Sequence, residues 1–170
     1  MSTIETTAEL FEEAIALEKG AEELYRRLAR MFSEHPDVEK FWLRYAEEER
    51  GHASYLGRIR DRLPADVLAQ SGDKQILEMA AKYQNFSVDH LLHNIHNLED
   101  AYQTVLELES SETNAIFEFI LENFSRDELE KAQTFLRVQL TKHMTAIENE
   151  FPIKYRSKVV RQGIQPRTSS

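Results

Sequence analysis

Residues 45–56 read Tyr-Ala-Glu-Glu-Glu-Arg-Gly-His-Ala-Ser-Tyr-Leu, and the Glu49-x-x-His52 step inside them decides how the whole chain is read. Three residues make roughly one helical turn, so both side chains leave the same face and aim at one point. Glu18 and His52 recur at one constant spacing as Glu109 and His143, whereas the position that repeats Glu49 is Leu140. Two copies of a Glu followed by Glu-x-x-His are what a four-helix bundle uses to hold two metal ions in its core. The chain carries one complete copy and one copy short of a carboxylate.

Working outward, the apolar pattern predicts four long helices in two pairs. The first starts at Thr6, whose hydroxyl caps it while Glu9 completes a capping box, and runs to about Phe32. The second begins after His35-Pro36, with proline at a favoured first position, and fades near Leu63-Pro64. A third is predicted from Asn97 to about Asn123, and Ser125 with Glu128 forms the capping box of a fourth that reaches about Glu150. The connections within each pair are short, so each pair is an antiparallel hairpin. Between the hairpins, residues 63–96 are broken at Ser71-Gly72 and carry one or two short helices around 76–83 and 88–95. A connection that long crosses the length of a bundle, so the fold class is all-α, a ferritin-like four-helix bundle of two hairpins joined by a long crossover.

The same periodicity places the ionisable residues. Phe11, Ala14, Ala21, Tyr25, Leu28 and Phe32 form the apolar stripe of the first helix, with Glu18 in its middle. Val38, Trp42, Tyr45, Leu56 and Ile59 share a face with Glu49 and His52. Tyr102, Val105, Ile116 and Phe119 flank Glu109 and Glu112, and Leu129, Ala132, Leu136, Leu140 and Ile147 flank His143. A carboxylate moved into an apolar interior without a partner costs several kcal/mol, so four on core stripes need compensation. A single Glu on such a stripe is ordinarily a rim residue that snorkels outward. Four carboxylates and two histidines in one register are harder to explain that way, and divalent iron or manganese suits their mixture of donors.

With these motifs in place the chain resembles the rubrerythrin branch of the ferritin-like superfamily over about residues 7–150, on Leu17-Glu18 with Tyr25, Glu49-Arg50-Gly51-His52 and Glu109-Ser110-Ser111-Glu112. The resemblance implies that Glu18 and Glu109 are terminal ligands, Glu49 a bridging ligand, His52 and His143 the histidine ligands, and Glu112 the extra carboxylate of that branch. It also implies that Tyr25 packs beside two iron or manganese ions, with other divalent metals able to enter during purification. The activity implied is an oxidoreductase that reacts with peroxide or dioxygen. Two departures stand out: Leu140 replaces the second bridging Glu, and the cysteine-rich rubredoxin domain of full-length rubrerythrins is absent. Glu112, one turn from Glu109, could stand in part for the missing ligand. Storage, delivery or sensing of a metal at the complete Glu18, Glu49 and His52 site is the non-enzymatic alternative, and a structural bundle with a degenerate site is the third.

Composition narrows the partners. A length of 170 residues with five Gly and four Pro fits one helical domain, and zero Cys excludes disulfides, iron–sulfur clusters and a thiolate-ligated iron relay. Electrons therefore come from another protein or a small reductant. The N-terminus lacks a basic stretch followed by an apolar run, and no segment reaches membrane-spanning length, so the expected location is cytoplasmic. Residues 1–150 are the bundle. Residues 151–170 form a basic tail with Lys154, Arg156, Lys158, Arg161 and Arg167, which leaves 16 of the 21 basic residues against all 30 acidic ones in the body. That balance of −14 excludes nucleic acid as the body's partner. The tail is predicted to be a frayed end, with its charge suited to the acidic body of a neighbouring subunit in a homodimer or larger homo-oligomer. His90, His93 and His96 read as crossover surface, and Trp42 and Tyr45 as core.

Overall fold

The computed structural model describes residues 3–111, 113–124, 145 and 147–168. Helix α1 (Thr7–Met31) is opened by the capping box: Thr6 Oγ1 accepts from the Glu9 amide at 3.3 Å, and Glu9 Oε2 accepts from the Thr6 amide at 2.9 Å. After a four-residue connection α2 (Pro36–Arg62) starts on proline, whose missing amide hydrogen is no loss at a first turn. The crossover carries α3 (Ala65–Leu68), α4 (Lys74–Lys82) and α5 (Val88–His93). Asp73 caps α4 and Ser87 caps α5. Thr7 N donates to Gln70 O and Gly72 N to Glu5 O, which fastens the crossover to the start of α1. Helix α6 (Leu98–Glu109) is capped by Asn97 and followed by α7 (Thr113–Phe124). Residues 147–150 are helical, and a 3-10 turn (Ile153–Tyr155) and helix α8 (Lys158–Gln162) close the described chain. Helices and turns account for the fold, an all-α ferritin-like bundle, with no strand among the described residues.

The apolar residues gather in two clusters, one toward each end. One joins the second half of α1, the first half of α2 and α6 through Leu24, Leu28, Trp42, Tyr45, Leu98 and Val105, completed by Ile147, Phe151 and Tyr155. The other joins the first half of α1, the second half of α2, α4 and α7 through Leu10, Phe11, Leu56, Ile59, Ala80 and Phe117. The halves pair in opposite order, so α1 and α2 are antiparallel as expected. Between the clusters lies the layer of buried ionisable residues.

Three sequence expectations are corrected. The third bundle helix is not continuous from Asn97 to Asn123: α6 stops at Glu109, and the hydroxyls of Ser110 and Ser111 donate to the carbonyls of Glu107 and Leu108 at 3.1 and 2.5 Å. Serine offers the backbone this alternative to the helical ladder. Beyond the break Ile116, Phe117, Ile120 and Leu121 are buried, whereas Phe119 is only half-buried. The second correction is that the crossover holds α3 besides the expected short helices.

The third concerns the tail, which does not fray. Phe151 and Tyr155 enter the core, and Arg161 is buried. Its guanidinium donates to Glu99 and to the carbonyls of Tyr155 and Arg156, and lies 4.0 Å from the centroid of the Tyr102 ring. Backbone bonds from Leu98 N to Ile164 O and from Arg167 N to Met31 O fasten the segment to α6 and α1. Phe151, Tyr155, Arg156 and Arg161 thus find partners on the same chain, whereas Ile153 and Val159 stay exposed. The capping box expected at Ser125 and Glu128, together with Leu129, Ala132, Leu136 and Leu140, lies outside the described residues.

Candidate metal centre

Glu18 sits near the middle of α1, Glu49 and His52 lie one turn apart on α2, and Glu109 is the last residue of α6. Their apolar neighbours at three- and four-residue steps turn these faces inward, which carries the ionisable groups in with them. Exposure falls to 8% for Glu18, 4% for Glu49, 2% for His52 and 6% for Glu109, well below what unassisted carboxylates tolerate. His52 Nδ1 lies 3.3 Å from Glu49 Oε2 and 3.4 Å from Glu18 Oε2. One ligand atom from each of these three residues falls within 4.8 Å of the others. Two carboxylates and an imidazole at that separation can hold a metal ion, and an ion would offset the cost of burying like charges together.

Tyr25, two turns along α1 from Glu18, is fully buried and donates its hydroxyl to Glu109 Oε1. Burial pushes its phenol far above the ordinary range, and the charges of Glu109 and Glu49 push it further, so Tyr25 remains a neutral donor. Burial works against a charged His52, but the Glu18 hydrogen bond and the charges of Glu18, Glu109 and Glu48 outweigh it and raise the imidazole pKa. The shift favours the protonated imidazole, with which a bound metal would compete. The Tyr25 ring stacks on Trp42 with centroids 5.9 Å apart, and the Phe117 ring lies 5.1 Å from that of His52. These contacts join the polar layer to the apolar cluster on either side.

Among the described residues, Leu17, Glu18, Ala21, Glu49, Phe86, Leu108 and Glu109 line a partly open cavity of about 20 Å³, space for about one water-sized molecule. Of the residues expected at the centre, Glu18, Glu49 and His52 are brought together, and Glu109, which accepts from Tyr25, lines the same cavity as Glu18 and Glu49. Glu112 and His143 lie outside the described residues, as does Leu140. His90, His93 and His96 are exposed on the crossover, away from the cluster, and Trp42 and Tyr45 are core. Sequence reasoning missed Phe86 and Leu108 as lining residues. The available signal was Gly20, a glycine inside a long helix beside Glu18 where a side chain would ordinarily stand.

A family model described as Rubrerythrin matches residues 9–142, most of the chain. No curated protein and no solved structure matches it. The chain belongs to the rubrerythrin family.

Proposed function

From that membership we propose that the protein is a di-metal oxidoreductase, with iron or manganese, that reacts with peroxide or dioxygen and receives its electrons from another protein or a small reductant. The observation that carries this reading is the convergence of Glu18, Glu49 and His52, with Glu109 across the same small cavity. Glu18, Glu49 and His52 would hold one ion. Glu109, with Glu112 and His143 from the sequence register, would hold the other, and Glu49 would be shared.

Redox-active ions held by these residues would supply the two electrons that reduce an O–O bond, to be restored by the external reductant. The chain's own residues do the rest. Glu18, Glu49 and Glu109 provide negative charge in a dry setting where it attracts cations strongly. Tyr25 fixes the Glu109 carboxylate through one hydrogen bond and, being neutral, can do so at any physiological pH. Leu17, Ala21, Phe86 and Leu108 give the small cavity an apolar lining beside the carboxylates. No helix among the described residues is long and apolar enough to cross a membrane. A cytoplasmic homodimer or larger homo-oligomer completes the proposal.

A second reading is favoured by Leu140, which deprives the second Glu-x-x-His of its carboxylate: one ion at the complete site, stored, delivered or sensed. Metal content per chain after loading separates the readings, with about two ions expected for the enzyme, about one for storage or sensing and none for a structural bundle. Saturating metal should also raise the melting midpoint of the chelated protein, by about 2.7 kcal/mol of stability at a hundredfold excess over Kd. An unchanged midpoint would refute both metal-binding readings.

A further inference from the structure

The cavity at the centre has one wall unlike the others. Leu17, Glu18 and Ala21 stand on α1, Glu49 on α2, and Leu108 and Glu109 on α6, whereas Phe86 comes from the crossover turn between α4 and α5. The turn is tight: Phe86 N donates to Tyr83 O at 2.8 Å, and Ser87 caps the helix that follows. The half-buried Phe86 ring rests directly on Gly20 of α1. A Cβ built at Gly20 would stand 2.7 Å from Phe86 Cε1 and 3.0 Å from Cδ1, closer than real side chains approach. Gly20 stands inside a 25-residue helix, and its lack of a side chain leaves room for the ring. Ring, turn and seat together hold one aromatic side chain against the small cavity that Glu18, Glu49 and Glu109 line, where its bulk narrows the space beside the candidate ligands.

We infer that Phe86, seated on Gly20, is a size filter that admits hydrogen peroxide or dioxygen to the centre and keeps alkyl hydroperoxides out. The inference rests on the functional reading above and names its substrate class. A ring that merely fills space would affect melting alone. A filter also sets the ratio between small and bulky substrates and the rate at which a bulky reagent reaches the centre.

The test uses the full-length protein loaded with ferrous iron, its Phe86→Ala variant and its Gly20→Ala variant, which keeps the aromatic ring but forces it off its seat. Two quantities are read: the ratio of kcat/KM for hydrogen peroxide over tert-butyl hydroperoxide with one reductant, and the rate of iron release to the bulky chelator bathophenanthroline disulfonate. The parent is expected to favour hydrogen peroxide. Phe86→Ala should reduce that preference by at least about tenfold and speed iron release by a similar factor, with Gly20→Ala moving both quantities the same way by less. If the parent turns over hydrogen peroxide and both variants keep its ratio and release rate, the filter is refuted and the enzyme reading stands. If the parent holds iron without turning over peroxide while both variants release it faster, the enzyme reading falls and closure of the cavity by Phe86 stands. A parent that takes up no iron overturns both.

Discussion

Helix α2 passes the ionisable layer without interruption, whereas the third bundle helix breaks there, α6 ending at Glu109 and α7 beginning at Thr113. On α2 the backbone alone sets the geometry: Glu49 and His52 are one turn apart within 27 helical residues, and their side chains meet at 3.3 Å. On the other side the helix stops at the buried carboxylate, and the Tyr25 hydroxyl supplies a bond to Glu109 from a different helix. A carboxylate inside a helix is placed by its neighbours in sequence. One at a helix end needs a partner from elsewhere, so the two sides of the centre should respond differently to mutation.

The largest expected effect falls on the unbroken side. Glu49→Ala should lower metal affinity by more than about a hundredfold, beyond the range for losing a residue that only supports a ligand, and Glu112→Ala should cost less. Competition with a chelator of known affinity reads both, and equal losses would remove the distinction between the sides. Next comes Leu140→Glu, which restores the second Glu-x-x-His with His143. In the metal-free protein it should destabilise the fold by a few kcal/mol, about the penalty for a carboxylate on an apolar stripe, while raising metal content toward two ions per chain. Destabilisation in the metal-free and loaded states alike, with unchanged metal content, would make Leu140 a settled core residue and favour a single ion.

Tyr25→Phe sharpens the comparison from the broken side. It removes the hydroxyl from a buried carboxylate, so the metal-free protein should lose about 1–3 kcal/mol in denaturant unfolding. Metal affinity should fall by about 10–100-fold, and an unaltered affinity would show that Glu109 is held by other means. The smallest effect lies at the far end of α1, where no ligand is involved. The amides of Glu5 and then Thr6 hold the Glu9 carboxyl below its ordinary 4.5. Its folded-state pKa is depressed, so this contribution is present above the unfolded value and fades as pH falls through the folded one. Glu9→Gln should therefore melt slightly below the parent at pH 7, and the gap should close under acid. A gap independent of pH would assign it to something other than charge.

The first hairpin was legible because each of its signals is local: a capping box at Thr6 and Glu9, a proline at position 36 and stripes of period 3.6. Glu18, Glu49, His52 and Glu109 were legible for the same reason, since helical spacing alone puts them on the inward faces. The break after Glu109 was not, because serine is tolerated in helices and its choice of a carbonyl depends on what surrounds it. The seat of Phe86 on Gly20 joins distant positions that share no period. The tail misled because its isolated aromatic residues and basic charge resemble a solvated end, whereas Phe151 and Arg161 have partners in the core on other helices.

That tail has a consequence for how the molecule is made. Trp42 and Phe41 on α2 leave the ribosome early, yet the Phe151 ring that packs on both, with centroids at 5.6 and 4.9 Å, arrives more than a hundred residues later. Synthesis at about 5–20 residues per second leaves this end of the nascent hairpin without its cover for roughly 5–20 seconds. During that interval the newborn chain presents an aromatic face suited to capture by a chaperone or by a second nascent copy. The candidate ligands on α1 and α2 are already made by then, so metal could be gathered before Phe151 covers this end of the hairpin.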